Sequence, residues 1–169
     1  QTGVITIAYN SATSSGGGIR VQYGRMTLDG ARLLSNYARN TGGAVYQIDA
    51  DEVTITNSCL VFNSDSAVRF LGGADLTATG NWWGYADGPS EAGPGSGDSI
   101  NNAVNIDASG FLTSPPAGCP EYYLLTTATD GTGSGSLTDG GVYAPGTVVT
   151  VTATADIGST FNGWSGACT

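Results

Sequence analysis

The residues able to do chemistry in this chain are few, and the missing types narrow the field first. Its 169 residues contain no histidine and no lysine. That removes the usual general base, Ser-His-Asp chemistry and imidazole metal sites. Carboxylates remain. Asp49, Asp51 and Glu52 fall in one short segment, where Asp49 and Asp51 would share a face of extended backbone. Close acids of this kind can cleave polysaccharides, but these border a turn before Val53, where acids commonly serve as solvated turn residues. No catalytic residue is therefore assigned. Asp87, Glu91 and Asp98 form a second acidic group among glycines, an oxygen-only set that would suit calcium. The plainer reading is a solvated acidic loop, and no other cofactor is expected.

Aromatic and sulfur chemistry come next. Trp82, Trp83 and Tyr85 lie together, and strict alternation would turn one tryptophan outward, where its ring could stack on a sugar. The competing reading makes one of them a cap over a core. Thr54/Thr56 and Thr77/Thr79 form two Thr-x-Thr pairs, too few for an ice-binding face. Cys59 sits in the apolar run Cys59-Leu60-Val61-Phe62 and reads as a buried free thiol. Cys119 and Cys168 flank the acidic C-terminal region and are the candidate disulfide in an oxidising compartment; a partner for Cys168 beyond Thr169 is the other option.

The charge is unevenly placed. Residues 1–69 carry all five basic residues (Arg20, Arg25, Arg32, Arg39, Arg69) against five acids, whereas residues 70–169 carry nine acids and no cation. The net charge of −9 therefore lies wholly in the last hundred residues. With so few cations and no basic stripe, neither nucleic acid nor an anionic membrane is an expected partner. No apolar run approaches the roughly 20 residues of a membrane-spanning helix, so direct membrane insertion is not expected.

The elements that must position these residues repeat. Ile5-Thr6-Ile7-Ala8-Tyr9-Asn10, Ala31-Arg32-Leu33-Leu34-Ser35-Asn36 and Ser58-Cys59-Leu60-Val61-Phe62-Asn63 align, placing Asn10, Asn36 and Asn63 at spacings of 26 and 27. Gly16-Gly17-Gly18-Ile19 and Gly42-Gly43-Ala44-Val45 recur in step, as do Met26-Thr27-Leu28, Val53-Thr54-Ile55 and Leu76-Thr77-Ala78. Stretches this short, rich in β-branched residues and bounded by Gly, Asn, Asp and Ser, predict strands. One such unit cannot bury its own inward face, and stacking successive units solves that. Ile19, Val21, Leu28, Val45, Leu60 and Phe62 are the expected inward positions. The recurrent asparagines are expected at positive φ in a turn, bonding to the adjacent coil as a structural ladder.

These residues also carry a resemblance. Gly16-Gly17-Gly18-Ile19, the spaced asparagines, Asn81-Trp82-Trp83-Gly84 with Asp87-Gly88-Pro89, and the ending Phe111-Leu112-Thr113-Ser114-Pro115 resemble the right-handed parallel β-helix repeats of large secreted or surface bacterial proteins. It covers about residues 3–116 and implies an all-β solenoid over residues 1–118. From residue 119 the pattern changes. Tyr122 to Ala128 and Thr147 to Thr154 predict strands, and Trp164 is the expected core residue. The run Tyr143-Ala144-Pro145-Gly146-Thr147-Val148-Val149-Thr150-Val151-Thr152-Ala153, followed by Phe161-Asn162-Gly163-Trp164-Ser165-Gly166, resembles the divergent internalin B-type repeat, a small β-rich bacterial surface module. Modules of that kind continue past the Trp-Ser-Gly segment, so residues 119–169 are expected to be an incomplete module. Gly3 to Asn10 likewise read as the closing part of a coil, so the chain is expected to be a piece of a longer protein.

The functional expectation is a non-enzymatic, extracellular structural or adhesive segment of a bacterial surface protein or filament. Its expected partners are neighbouring copies or adjacent modules, met end to end through β edges. The alternative is a polysaccharide-binding or polysaccharide-cleaving β-helix. The Asn-Thr-Asp, Asp-Asp and Gly-His-Gly series of polygalacturonases are absent, and three or four coils would give a polymer only a short groove.

Overall fold

Single residues with left-handed backbone make the chain wind. Gly30, Asn57, Gly80 and Gly110 have φ of 64°, 48°, 69° and 62° and recur at one corner, each just before the chain re-enters the same face. Glycine and asparagine reach this conformation at least steric cost, which is why short strands are punctuated by them. The computed structural model describes residues 4–72, 75–101, 105–121, 123–138, 140–143 and 146–166. Contacts divide the chain into two units, Gln1–Glu121 and Tyr122–Thr169.

The first unit is an all-β solenoid of about four turns with parallel strands on three faces. The first face stacks Thr6–Ala8, Arg32–Leu34 and Cys59–Val61, and a further bridge pairs Cys59 with Trp82. The second stacks Ile19–Val21, Val45–Ile48, Val68–Leu71 and Gly97–Asn101, with Pro89–Glu91 added at its edge. The third stacks Arg25–Asp29, Glu52–Thr56, Asp75–Thr77 and Ile106–Asp107. No helix occurs among the described residues.

Register places like on like. Ile19, Val45, Val68 and Ile100 form one inward column, and Met26, Val53, Leu76 and Ile106 another. Leu33 stacks on Leu60, and both are fully buried. The expected inward positions hold at Ile19, Val21, Leu28, Val45 and Leu60, all of which belong to the apolar core or pack against it. Phe62 does not. It occupies a corner at φ 66° and is half-buried, because the strand ends at Val61 and alternation ends with it.

The glycine runs have a steric cause. A Cβ on Gly43 would lie 2.6 Å from the backbone of Ser64 in the next coil, so the corner packs backbone against backbone. At the other end of the stack, Phe111 packs on the core beside Gly88, whose missing side chain leaves room for the ring.

The second unit contains two antiparallel ladders: Tyr123–Leu125 with Gly141–Tyr143, and Gly135–Leu137 with Ala153–Ala155. The long strand expected over Thr147 to Thr154 is reduced to Ala153–Ala155. Trp164 does not fill a core as expected: it is 51% exposed and meets Phe161 edge-to-face at 5.2 Å. Leu137 is the one large apolar side chain of the ladder that pairs Gly135–Leu137 with Ala153–Ala155, too little apolar surface to bury an indole.

Candidate functional site: the outer surface of the solenoid

The inside of the solenoid is filled, so any chemistry must use outward side chains. On the first face, register aligns Thr6, Arg32, Cys59 and Trp82 in one outward column. The chain returns over this column and grips three of its members. Arg32 Nη2 donates to the Ala117 carbonyl at 2.7 Å, Cys59 forms a disulfide with Cys119, and Trp82 Nε1 donates to the Pro120 carbonyl at 2.8 Å. Residues 117–120 therefore strap down the outer surface of the sheet.

This strap overturns two cysteine expectations. Cys59 is not a free thiol: it is buried, as its apolar neighbours imply, but bonded to Cys119 with their Cα atoms 6.0 Å apart. Cys119 is therefore not paired with Cys168, which lies outside the described residues. The sequence hid the pairing because the partners are 60 residues apart and only coil register brings the strap over Cys59.

The strap also corrects the carbohydrate site. Trp82 and Trp83 are both fully buried, so neither ring is available to stack on a sugar. Alternation does point them in opposite directions, with Trp83 in the apolar core and Trp82 outside the sheet. The strap covers the outward ring. Tyr85 is half-buried, and its phenol pKa is raised by burial and by the nearby Asp87 carboxylate.

The three acids expected to hold calcium are dispersed. Asp87 accepts from the Ser96 N–H at 3.0 Å and the Ser96 hydroxyl at 2.8 Å, and the first of these leads in lowering its pKa. Glu91 accepts from Asn101 Nδ2 on the edge of the second face. Asp98 Oδ1 accepts from the Phe62 N–H, and its Oδ2 accepts from Asn63 N and Nδ2. No group of three or more potential metal-ligating Cys, Asp and Glu side chains converges among the described residues.

Asp98 belongs instead to the asparagine ladder. Asn10 donates through N and Nδ2 to Asn36 Oδ1, and Asn36 donates in the same way to Asn63 Oδ1. Asn36 Nδ2 and Asn63 Nδ2 also reach back to the carbonyls of Ile7 and Leu33. The positive φ expected on the asparagines falls one residue earlier, on Tyr9, Ser35 and Phe62 (58°, 52° and 66°). The corner must turn before the amide can point along the stack. Sequence reasoning missed a second set of rungs, in which Ser58 Oγ accepts from Ala31 N and Asn81 Oδ1 accepts from Ser58 N.

The acids considered for cleavage have separate settings. Asp49 occupies a left-handed corner at φ 55°, Asp51 N donates to the Gly24 carbonyl, and Glu52 faces Arg25 in an exposed ion pair at 3.7 Å. On the third face Thr27 joins Thr54 and Thr77 in one column, but the neighbouring column begins with Asp29, which accepts from Thr56 and Asn57.

Residues 125–169 match the family model described as the divergent InlB B-repeat domain. No curated protein and no solved structure matches the chain.

Proposed function

We propose that this chain is a non-enzymatic, extracellular structural or adhesive segment of a bacterial surface protein or filament. The observation that carries the reading is the strap: the outward column of the first face is closed by a disulfide and two hydrogen bonds. A disulfide of this kind suits an oxidising location outside the cytosol. The match of residues 125–169 to a bacterial repeat family supports the same setting. Mechanically, a parallel stack with polar side chains bonded from coil to coil is a rigid spacer. Its terminal strands and the two short ladders of the second unit offer β edges to neighbouring copies or adjacent modules.

The polysaccharide-cleaving alternative is tested by reducing-end release. Incubation with acidic polysaccharides is expected to release no reducing sugar. Release that is abolished in Asp51→Ala would contradict the structural reading.

A further inference from the structure

The second face also carries an outward column of aligned side chains. Register places Arg20, Tyr46 and Arg69 side by side on three successive coils, followed by Asn101. All four alternate with inward residues and so point outward. The Arg20 guanidinium carbon lies 5.4 Å from the centre of the Tyr46 ring, a cation–π stack. Tyr46 is only 8% exposed, so it supports the arginine and offers no open ring to a ligand.

The other arginines with assigned contacts have plain roles: Arg25 faces Glu52, and Arg32 holds the strap. Arg20 and Arg69 have no acidic partner among the described residues, and the buried Nε–H of Arg69 has no acceptor. An unmet buried donor is unfavourable, and two guanidinium groups in one column repel. An anion would relieve both. The column ends at Asn101, which donates to Glu91, so anionic contact is confined to the first three coils.

We infer that the Arg20–Tyr46–Arg69 column binds the carboxylates of an extended acidic polysaccharide lying along the solenoid axis. Coils repeat at about 4.8 Å, so the backbones of Arg20 and Arg69, two coils apart, are about 10 Å apart along that axis. A linear polymer with regular carboxylates can meet arginines carried on two separate coils. A guanidinium fork receives a carboxylate through two parallel hydrogen bonds. Ile48 and Leu71, in register on the same face and half-buried, supply an apolar flank for sugar C–H faces. Nucleic acid fits less well, since its dense phosphates would face only two cations on a chain of net charge −9. The inference goes beyond the structural reading and does not depend on self-association.

The test is affinity electrophoresis of the full chain in gels containing polygalacturonate. Fully methyl-esterified polygalacturonate, dextran and poly-glutamate serve as comparison polymers. Retardation is expected with polygalacturonate alone and should weaken as salt rises. Arg20→Gln and Arg69→Gln should each weaken it about tenfold, the loss expected for one charged contact of about 1.4 kcal/mol. Arg69→Lys, which keeps the charge but loses the fork, should fall between. Arg39→Gln, an exposed arginine off the column, should change nothing. Circular dichroism of every variant separates loss of binding from loss of fold. No retardation by polygalacturonate overturns the inference, as does equal loss in Arg39→Gln or equal binding of the esterified polymer. Equal binding of poly-glutamate would assign the column to acidic peptides and overturn the polysaccharide.

Discussion

Asp98 ends the asparagine column by standing where a fourth asparagine would. Its Oδ2 accepts from both the N–H and the Nδ2 of Asn63, at 2.9 Å each, repeating the bonds that Asn63 makes to Asn36. Its Oδ1 takes the Phe62 N–H as well. A carboxylate has only acceptors, so it can terminate a column of donated amides without leaving a donor of its own unmet. Asp98, in the strand Gly97–Asn101, is thereby a structural end-piece.

Asp98→Asn is expected to destabilise the solenoid, although it is the smallest possible change. One oxygen becomes an NH2 group facing either Phe62 N–H or the Asn63 donors, setting donor against donor. The cost should be about 1–3 kcal/mol, that of leaving buried donors unsatisfied. Thermal unfolding followed by circular dichroism checks it. Asn36→Ala, which removes a rung from the middle of the column, should cost at least as much.

Reduction of the Cys59–Cys119 bond should loosen the strap while leaving the coils wound. The chain-entropy account of a cross-link predicts a loss of about 2–4 kcal/mol. Because the Trp82 indole N–H bonds to the strap at Pro120, its fluorescence should shift to the red on reduction. Cys59→Ser with Cys119→Ser should reproduce both effects and leave the far-ultraviolet circular dichroism unchanged. Unfolding denaturant without reductant should reveal no thiol from either residue.

Stability should fall in acid. Asp29, Asp87 and Asp107 have pKa values held below the ordinary 3.8, chiefly by hydrogen bonds from Asn57, Ser96 and Ser109 respectively. A carboxyl with a lowered folded pKa binds protons more weakly when folded. Its contribution is therefore present above the unfolded value and lost as pH falls through the folded one. Melting temperature should be flat above about pH 5 and decline below pH 4. Asn57→Ala should weaken that acid dependence by releasing Asp29.

The winding of the chain was legible because its causes are local. The recurrence of Asn10, Asn36 and Asn63 and the paired glycine runs mark the same points on successive coils. The inward columns at Val45 and Leu60 follow from period-two alternation. Alternation also placed Trp82 and Trp83 on opposite sides of the sheet, yet it could not reveal that residues 117–120 cover Trp82. The strap is a contact between distant segments with no periodic signature, and the Cys59 pairing was hidden for the same reason. The Arg20–Tyr46–Arg69 column was equally silent, since the spacings of 26 and 23 acquire meaning only from the observed register. In the second unit the alternation of Thr147 to Thr154 did not show that pairing with Gly135–Leu137 begins only at Ala153.

Electron microscopy of the purified chain across a concentration series decides whether copies of the solenoid join through their β edges, as proposed. Linear, end-to-end assemblies of uniform width that lengthen as concentration rises are the expected result. Isolated single particles at every concentration, with no ordered contact between copies, would contradict it.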